Sequence, residues 1–159
     1  LARDARRKRT LVRCLNVLRQ YPLDDALAAW STMRAGLRPE GVLLEGTCDE
    51  VGRRAAWVTL TSAGPQSLTL AAHLASLTRP SDLAERLPKA LIHHNVPGQP
   101  VHALLQALDA SWDRAAPHAT FGPRQRWVAA CEGLVWEQAG PRRWREGELT
   151  VPWSSVAPV

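Results

Sequence analysis

The sequence predicts an α/β domain whose sheet combines a strand–helix–strand unit with an antiparallel hairpin, under a helical C-terminal cover. Three observations predict it. Two short Leu- and Val-rich runs, residues 10–18 (TLVRCLNVL) and 41–46 (GVLLEG), flank an amphipathic segment, as expected of parallel strands joined by a crossover helix. Two β-branched or aliphatic runs, residues 55–61 and 67–72, are joined by SAGPQ, a hairpin signature. From Pro80 onward the apolar residues recur at helical spacing.

In the first unit, Asp24 and Asp25 follow Pro22 where carboxylates satisfy free amides and complement the helix dipole. Leu23, Leu27, Trp30 and Leu37 keep one face apolar, and Gly36 with Pro39 marks the exit. A right-handed crossover brings the second strand beside the first. Residues 16–21 and 45–50 then leave the sheet at the same edge, the carboxyl ends of neighbouring strands, where open α/β sheets bind ligands. Strands of this composition are buried on both faces and need neighbours on both sides. Only one parallel neighbour can be found, so sheet-forming sequence is expected upstream of Leu1.

The hairpin adds an antiparallel pair. Asp82 and Glu85 then fit an N-cap and its reciprocal partner before Pro88. Val101, Leu104, Leu105, Leu108 and Trp112 form a helical stripe opened by Pro100; Trp127, Cys131, Leu134 and Val135 form another between Pro123 and Gly140. The tail, residues 148–153 (ELTVPW), fits a short edge strand, since Pro152 forbids a central one. Residues 1–159 therefore form one domain, incomplete at its N-terminus, with the sheet in 10–72 and the helical cover with its terminal strand in 80–159.

Composition narrows the function. The net charge of +5 lies entirely in residues 1–13, with six basic residues against Asp4; the rest of the chain is balanced. A basic domain face for nucleic acid is therefore absent, and the basic segment is either a solvated arm or a phosphate contact. The seven tryptophans supply nearly all aromatic bulk and belong to core or interface, not to a base-stacking platform. No apolar run is long enough to span a membrane, and no apolar signal core follows the basic terminus. Cys14, Cys48 and Cys131 are odd in number and lack CxxC spacing, which suggests a reducing cytoplasm. Cys14 and Cys131 sit on apolar faces as small buried hydrophobes, whereas Cys48 lies in the edge loop. The five histidines lack zinc-ligand spacing, and neither GxGxxG nor GxxxxGKS occurs.

The runs VRCLNVLRQY, GLRPEGVLLEGTCDEVGRR, LPKALIHHNVPGQPVH and FGPRQRW, with the helix carrying Trp30, resemble the C-terminal portion of bacterial class I S-adenosylmethionine-dependent methyltransferases over most of the chain. The resemblance implies a partial Rossmann-like methyltransferase sheet: residues 10–18 as the fourth strand of seven, 41–46 as the fifth, and 55–72 as the closing pair. RPEGVLLEG is similar to the family's LxPGG turn, with Glu40 in place of the first glycine. The glycine-rich loop and the ribose-binding acid of the family have no counterpart here.

The resemblance implies that Asn16, Arg19 and Tyr21 border the cofactor, S-adenosyl-L-methionine. Asn16 either aligns a reacting nucleophile, its amide offering donor and acceptor together, or ties neighbouring loops. Glu45, Asp49 and Glu50, three carboxylates near one edge, would raise one another's proton affinity and supply a base, with Glu45 and Asp49 the catalytic candidates. Alternatively they pair with Arg19, Arg53 and Arg54 as an ionic rim. Ser81, Lys89 and Arg126 fall in the helical cover as capping or surface residues. Two functions of different class follow. One is a cytoplasmic methyltransferase portion with an unidentified methyl acceptor. The other is a non-catalytic module with half the fold, forming a homodimer or meeting an N-terminal partner segment through an exposed sheet edge.

Overall fold

Among the described residues, five strands form one mixed sheet in the order β1-β2-β3-β4-β5, which is also their order along the chain. The computed structural model describes residues 8–159, so Arg3, Arg6 and Arg7 of the basic segment lie outside the described residues. Strands β1 (Arg9–Leu15) and β2 (Leu37–Cys48) run parallel and are joined by helix α1 (Leu23–Ala35). Strands β3 (Arg54–Thr61), β4 (Gly64–Ala72) and β5 (Glu148–Pro152) continue as an antiparallel meander. The architecture is α/β, with the terminal edge strand where the sequence puts it and the hairpin present, but β4 starts at Gly64 and not at Ser67, which leaves Ser62 and Ala63 as the turn.

Helix α1 starts after Pro22 with Asp24 and Asp25 in its first turn, has Arg34 in its last, and ends at Gly36. Its buried face differs from the expected Leu stripe. Ala26 and Trp30 are buried, with Ala29 and Met33 packed beside them, whereas Leu27 is 41% exposed and Leu37 belongs to β2. Small alanines let the helix lie close to the sheet, and the contact face turns toward them and away from the larger leucines.

The expectation that β1 is buried on both faces is also corrected. Most of its residues are exposed, Leu11 by 57%, and only Cys14 is buried. Composition records what a strand tolerates; β1 is an edge strand with β2 as its one partner among the described residues. It is also shorter than expected, ending at Leu15, with Leu18–Gln20 forming a 3-10 turn. Strand β2 is longer, because an irregular start through Pro39 shifts the register between the pairs Arg9–Leu37 and Leu11–Val42.

One face of the sheet is deeply buried, carrying Leu43 and Glu45 of β2, Val58 and Leu60 of β3, Leu68 and Leu70 of β4, and Leu149 and Val151 of β5. On the opposite face Leu44, Trp57, Thr59 and Thr150 are half-buried, and buried Thr69 shares a 2.8 Å hydroxyl hydrogen bond with Thr150.

The cover contains a 3-10 helix (Pro80–Arg86), α2 (Lys89–Ile92), α3 (Pro100–Arg114), a second 3-10 helix (Ala116–Phe121), α4 (Pro123–Glu132) and α5 (Pro141–Arg145). All five residues of the α3 stripe are buried, each stabilising the packing by about 1.5–3 kcal/mol. Helix α4 ends before the second stripe is complete: Gly133 caps it, Leu134 is buried beyond it, and Val135 is 99% exposed. Asp82 is not an N-cap; it sits one turn in, where its carboxylate accepts the Arg79 N–H at 3.3 Å. Arg126 lies with its guanidinium 4.0 Å over the Trp112 ring and donates to the Trp112 carbonyl, a packing role.

Asp109 ties the first 3-10 helix to α3. It is 9% exposed, accepts the Ser81 N–H at 2.9 Å and pairs with Arg79 at 3.0 Å. Asp109→Ala leaves that N–H without a partner and is expected to cost about 2 kcal/mol. Urea denaturation checks this, and a midpoint equal to wild type would show that the staple contributes nothing.

Candidate functional site

The carboxyl ends of β1 and β2 meet at one edge, and Asn16 is the residue that joins them. It stands just beyond β1 with φ 62°, a left-handed conformation that asparagine tolerates better than most non-glycine residues. Its N–H donates to the Gly46 carbonyl at 2.8 Å. Its Oδ1 accepts the Cys48 N–H at 2.8 Å, and its Nδ2 donates to Cys48 Sγ at 3.1 Å. The amide is thus used at both ends to clamp the strand termini together. Arg19 is likewise engaged, donating to the Glu85 carbonyl at 3.0 Å, while Tyr21 stays 47% exposed on the rim.

Glu45 lies level with Cys14 in the parallel register, two residues short of where Asn16 emerges. It points to the helix-covered face and is only 1% exposed. Trp30 Nε1 of α1 donates to Glu45 Oε2 at 3.0 Å; Oε1 has no partner among the described residues. Trp153 packs edge-on against Trp30, with ring centroids 6.0 Å apart. Burial pushes the Glu45 carboxyl up to about 7, against the lowering effect of the Trp30 bond. The neighbouring Cys14 thiol is raised by burial first and by the Glu45 charge second.

Asp49 behaves in the opposite way. Some desolvation raises its pKa, but the N–H groups of Arg54, Arg53 and Gly52 and the Arg86 charge outweigh this and leave it lowered. The Arg53 N–H donates to its Oδ1 at 2.6 Å. The expected mutual elevation is therefore corrected at Asp49: Glu45 is raised by its own burial, while Asp49, in the β2–β3 turn, is held ionised. Asn16, Cys48 and Asp49 share the exposed rim; Glu45 belongs to the same end of the sheet but lies beneath α1. The ionic rim has other members than expected, since Arg54 pairs with Asp82 at 3.5 Å and with Glu85 at 3.9 Å.

Farther along this edge, beyond β2, lies a cavity of about 670 Å³ that the sequence reading missed. Its lining comes from the β2–β3 turn, the end of β4, the start of α4 and the approach to β5, and includes Arg53, Arg124 and Arg145. Four separated segments contribute, so no local motif marks it; the available signal was arginine beside glycine at turns, in Gly52-Arg53 and Gly122-Pro123-Arg124.

Among the described residues, no group of three or more His, Cys, Asp or Glu side chains is arranged to hold a metal ion, and no helix is long and apolar enough to cross a membrane. No family model matches the chain, and neither the curated proteins nor the solved structures give a significant match.

Proposed function

We propose that this chain is the C-terminal portion of a class I S-adenosylmethionine-dependent methyltransferase, acting on a methyl acceptor yet to be identified. The observation that carries the reading is the parallel β1–α1–β2 unit. It puts Asn16 and Tyr21 on the same carboxyl edge as Asp49, and α/β folds bind their ligands along that edge. The antiparallel strands beyond β2 agree with the closing pair of the resembling family, though they follow β2 directly.

The residues present do not by themselves fit the cofactor. Both ends of the Asn16 amide are engaged with Cys48, Arg19 is tied to the Glu85 carbonyl, and the chain has no glycine-rich loop or ribose-binding acid. In this reading the remaining contacts come from strands added at the edge of β1 that has no partner among the described residues. The role left to this chain is positional: Asn16 fixes the rim, Tyr21 offers an exposed ring, and Asp49 presents an ionised carboxylate to an acceptor.

Calorimetry tests the reading. S-adenosylmethionine titrated into this 159-residue chain is expected to bind weakly or not at all. A polypeptide that also carries the sequence encoded upstream of Leu1 is expected to bind it stoichiometrically. Failure of the longer polypeptide to bind would sink the reading, and tight binding by the shorter chain would overturn the account of what it lacks.

The outer edge of β1, which has no strand partner among the described residues, favours a second reading, a non-catalytic assembly module that pairs β1 with β1 of a second copy or with a strand of a partner segment. A concentration-dependent dimer abolished by a proline at Val12, with no cofactor binding by either polypeptide, is its expected signature.

A further inference from the structure

We propose that the cavity beside β3, β4 and β5 is a binding site for a small organic phosphate, an inference independent of the methyltransferase reading. Three arginines from three separate segments, Arg53, Arg124 and Arg145, line a space of about 670 Å³, the size of a small-ligand pocket. Arg54, Arg79 and Arg143 pair with carboxylates, and Arg19 and Arg126 donate to backbone carbonyls. Arg53, Arg124 and Arg145 make no ion pair among the described residues, so three arginines without a carboxylate partner border one cavity.

The acidic residues in the lining do not cancel them. Glu148 is held by Arg143 at 2.6 Å, which leaves Glu146 as the other carboxylate. The excess is positive, and the guanidinium fork suits phosphate oxygens.

The backbone contributes in the same sense. Helix α4 begins at the cavity with Gly122 as N-cap and Pro123 in the first position, and no side chain caps it. Pro123 has no N–H, and those of Gly122 and Arg126 donate to the Ala119 and Gly122 carbonyls, so the N–H groups of Arg124 and Gln125 are the two left to an anion at the positive end of this ten-residue helix. Gly122, at φ 101°, has open space where a side chain would stand.

The ligand is an ester and not the free ion because the lining, beside its arginines, glutamates and His73, also carries apolar side chains. Phe121 is 76% exposed and stands with Leu74 at the cavity. A phosphate held by the arginines leaves its organic part against these two side chains, where a flat ring gains stacking area.

Calorimetric titration with inorganic phosphate, adenosine and adenosine monophosphate tests the assignment on the intact chain. Inorganic phosphate is expected to bind weakly, the monophosphate about tenfold more tightly through Phe121 and Leu74, and adenosine not measurably. The double variant Arg124→Gln/Arg145→Gln is expected to weaken both phosphate-bearing probes at least about tenfold. Phe121→Ala should erase the advantage of the monophosphate and leave inorganic phosphate unchanged. Arg142→Gln, on the same α5 but outside the lining, should change neither. All these positions are exposed, so the variants are expected to fold, and circular dichroism verifies it. Lack of saturable binding by both phosphate-bearing probes would overturn the proposal, as would affinities unchanged in the double variant. Equal affinity for inorganic phosphate and the monophosphate would overturn the assignment to an ester.

Discussion

Between about pH 5 and about pH 8.5 the unfolding free energy of the wild-type chain falls by roughly 2–3 kcal/mol through Glu45 alone, and Glu45→Gln abolishes that fall. The folded-state pKa is raised to about 7 from an ordinary 4.5, so between these values the folded chain holds a proton that the unfolded chain has released. Stability therefore decreases as pH rises. The contribution is fully present below the unfolded pKa and is gone once pH has passed the folded one. The physical cause is local. A carboxylate with one oxygen bonded to Trp30 and the other without a partner is a charge stranded under a helix, whereas the neutral acid loses little by being there. The Cys14 thiol beside it is raised above 9.0 and stays neutral throughout this range. No basic side chain among the described residues pairs with Glu45. Urea denaturation of both proteins at the two pH values measures the effect. The variant should match wild type at the lower pH and exceed it at the higher; parallel profiles would show that Glu45 is ionised in the folded chain or reached by water.

The same residue shows how far the sequence could be read. The edge to which Glu45 belongs follows from the strand–helix–strand pattern, because period, Pro22 and Gly36 bound α1 and the two runs that flank it. Its burial depends on how α1 is rotated, and there the leucines misled. Leu27 is the larger apolar residue, yet Ala26, Ala29, Trp30 and Met33 meet the sheet, since a helix over a twisted surface packs by fit and not by hydropathy alone. The exposure of β1 was hidden for a related reason: a Leu- and Val-rich run reports what a strand can tolerate, and only its neighbours decide whether it is covered. Turn chemistry was the firmer guide, giving the hairpin through the Ser62–Gln66 stretch, although Gly64 and Pro65 themselves belong to β4 and pair with Thr61 and Leu60, and the edge position of β5 through Pro152. The cavity was out of reach because Arg53, Arg124 and Arg145 are far apart in sequence and unremarkable in an arginine-rich chain.

Gly46→Ala is expected to destabilise the chain by at least about 3 kcal/mol, and to do so through the rim as much as through the core. Gly46 lies directly opposite Trp57 in the antiparallel β2–β3 pair. A methyl group there would collide with the Ala56 carbonyl oxygen and come within 2.6 Å of Trp57 Cα and Cβ. These are backbone or backbone-fixed atoms of a strand paired on both sides, so no rotamer change relieves the contact, and β2 and β3 must separate locally. That separation pulls on the Gly46 carbonyl, which accepts the Asn16 N–H at 2.8 Å, and through Asn16 on the bond to the Cys48 N–H. The loss should therefore appear twice: as a lower melting temperature, and as faster amide hydrogen exchange at Asn16 and Cys48 than elsewhere in β1 and β2. Gly52→Ala supplies the contrast. Gly52 has φ 69° but nothing within 4 Å of an added methyl group, so that change costs only the left-handed conformation, about 1–2 kcal/mol. If Gly46→Ala proved no worse than Gly52→Ala, the close approach of β2 to Trp57 would not exist in solution, and the clamp at Asn16 would have to rest on something other than this register.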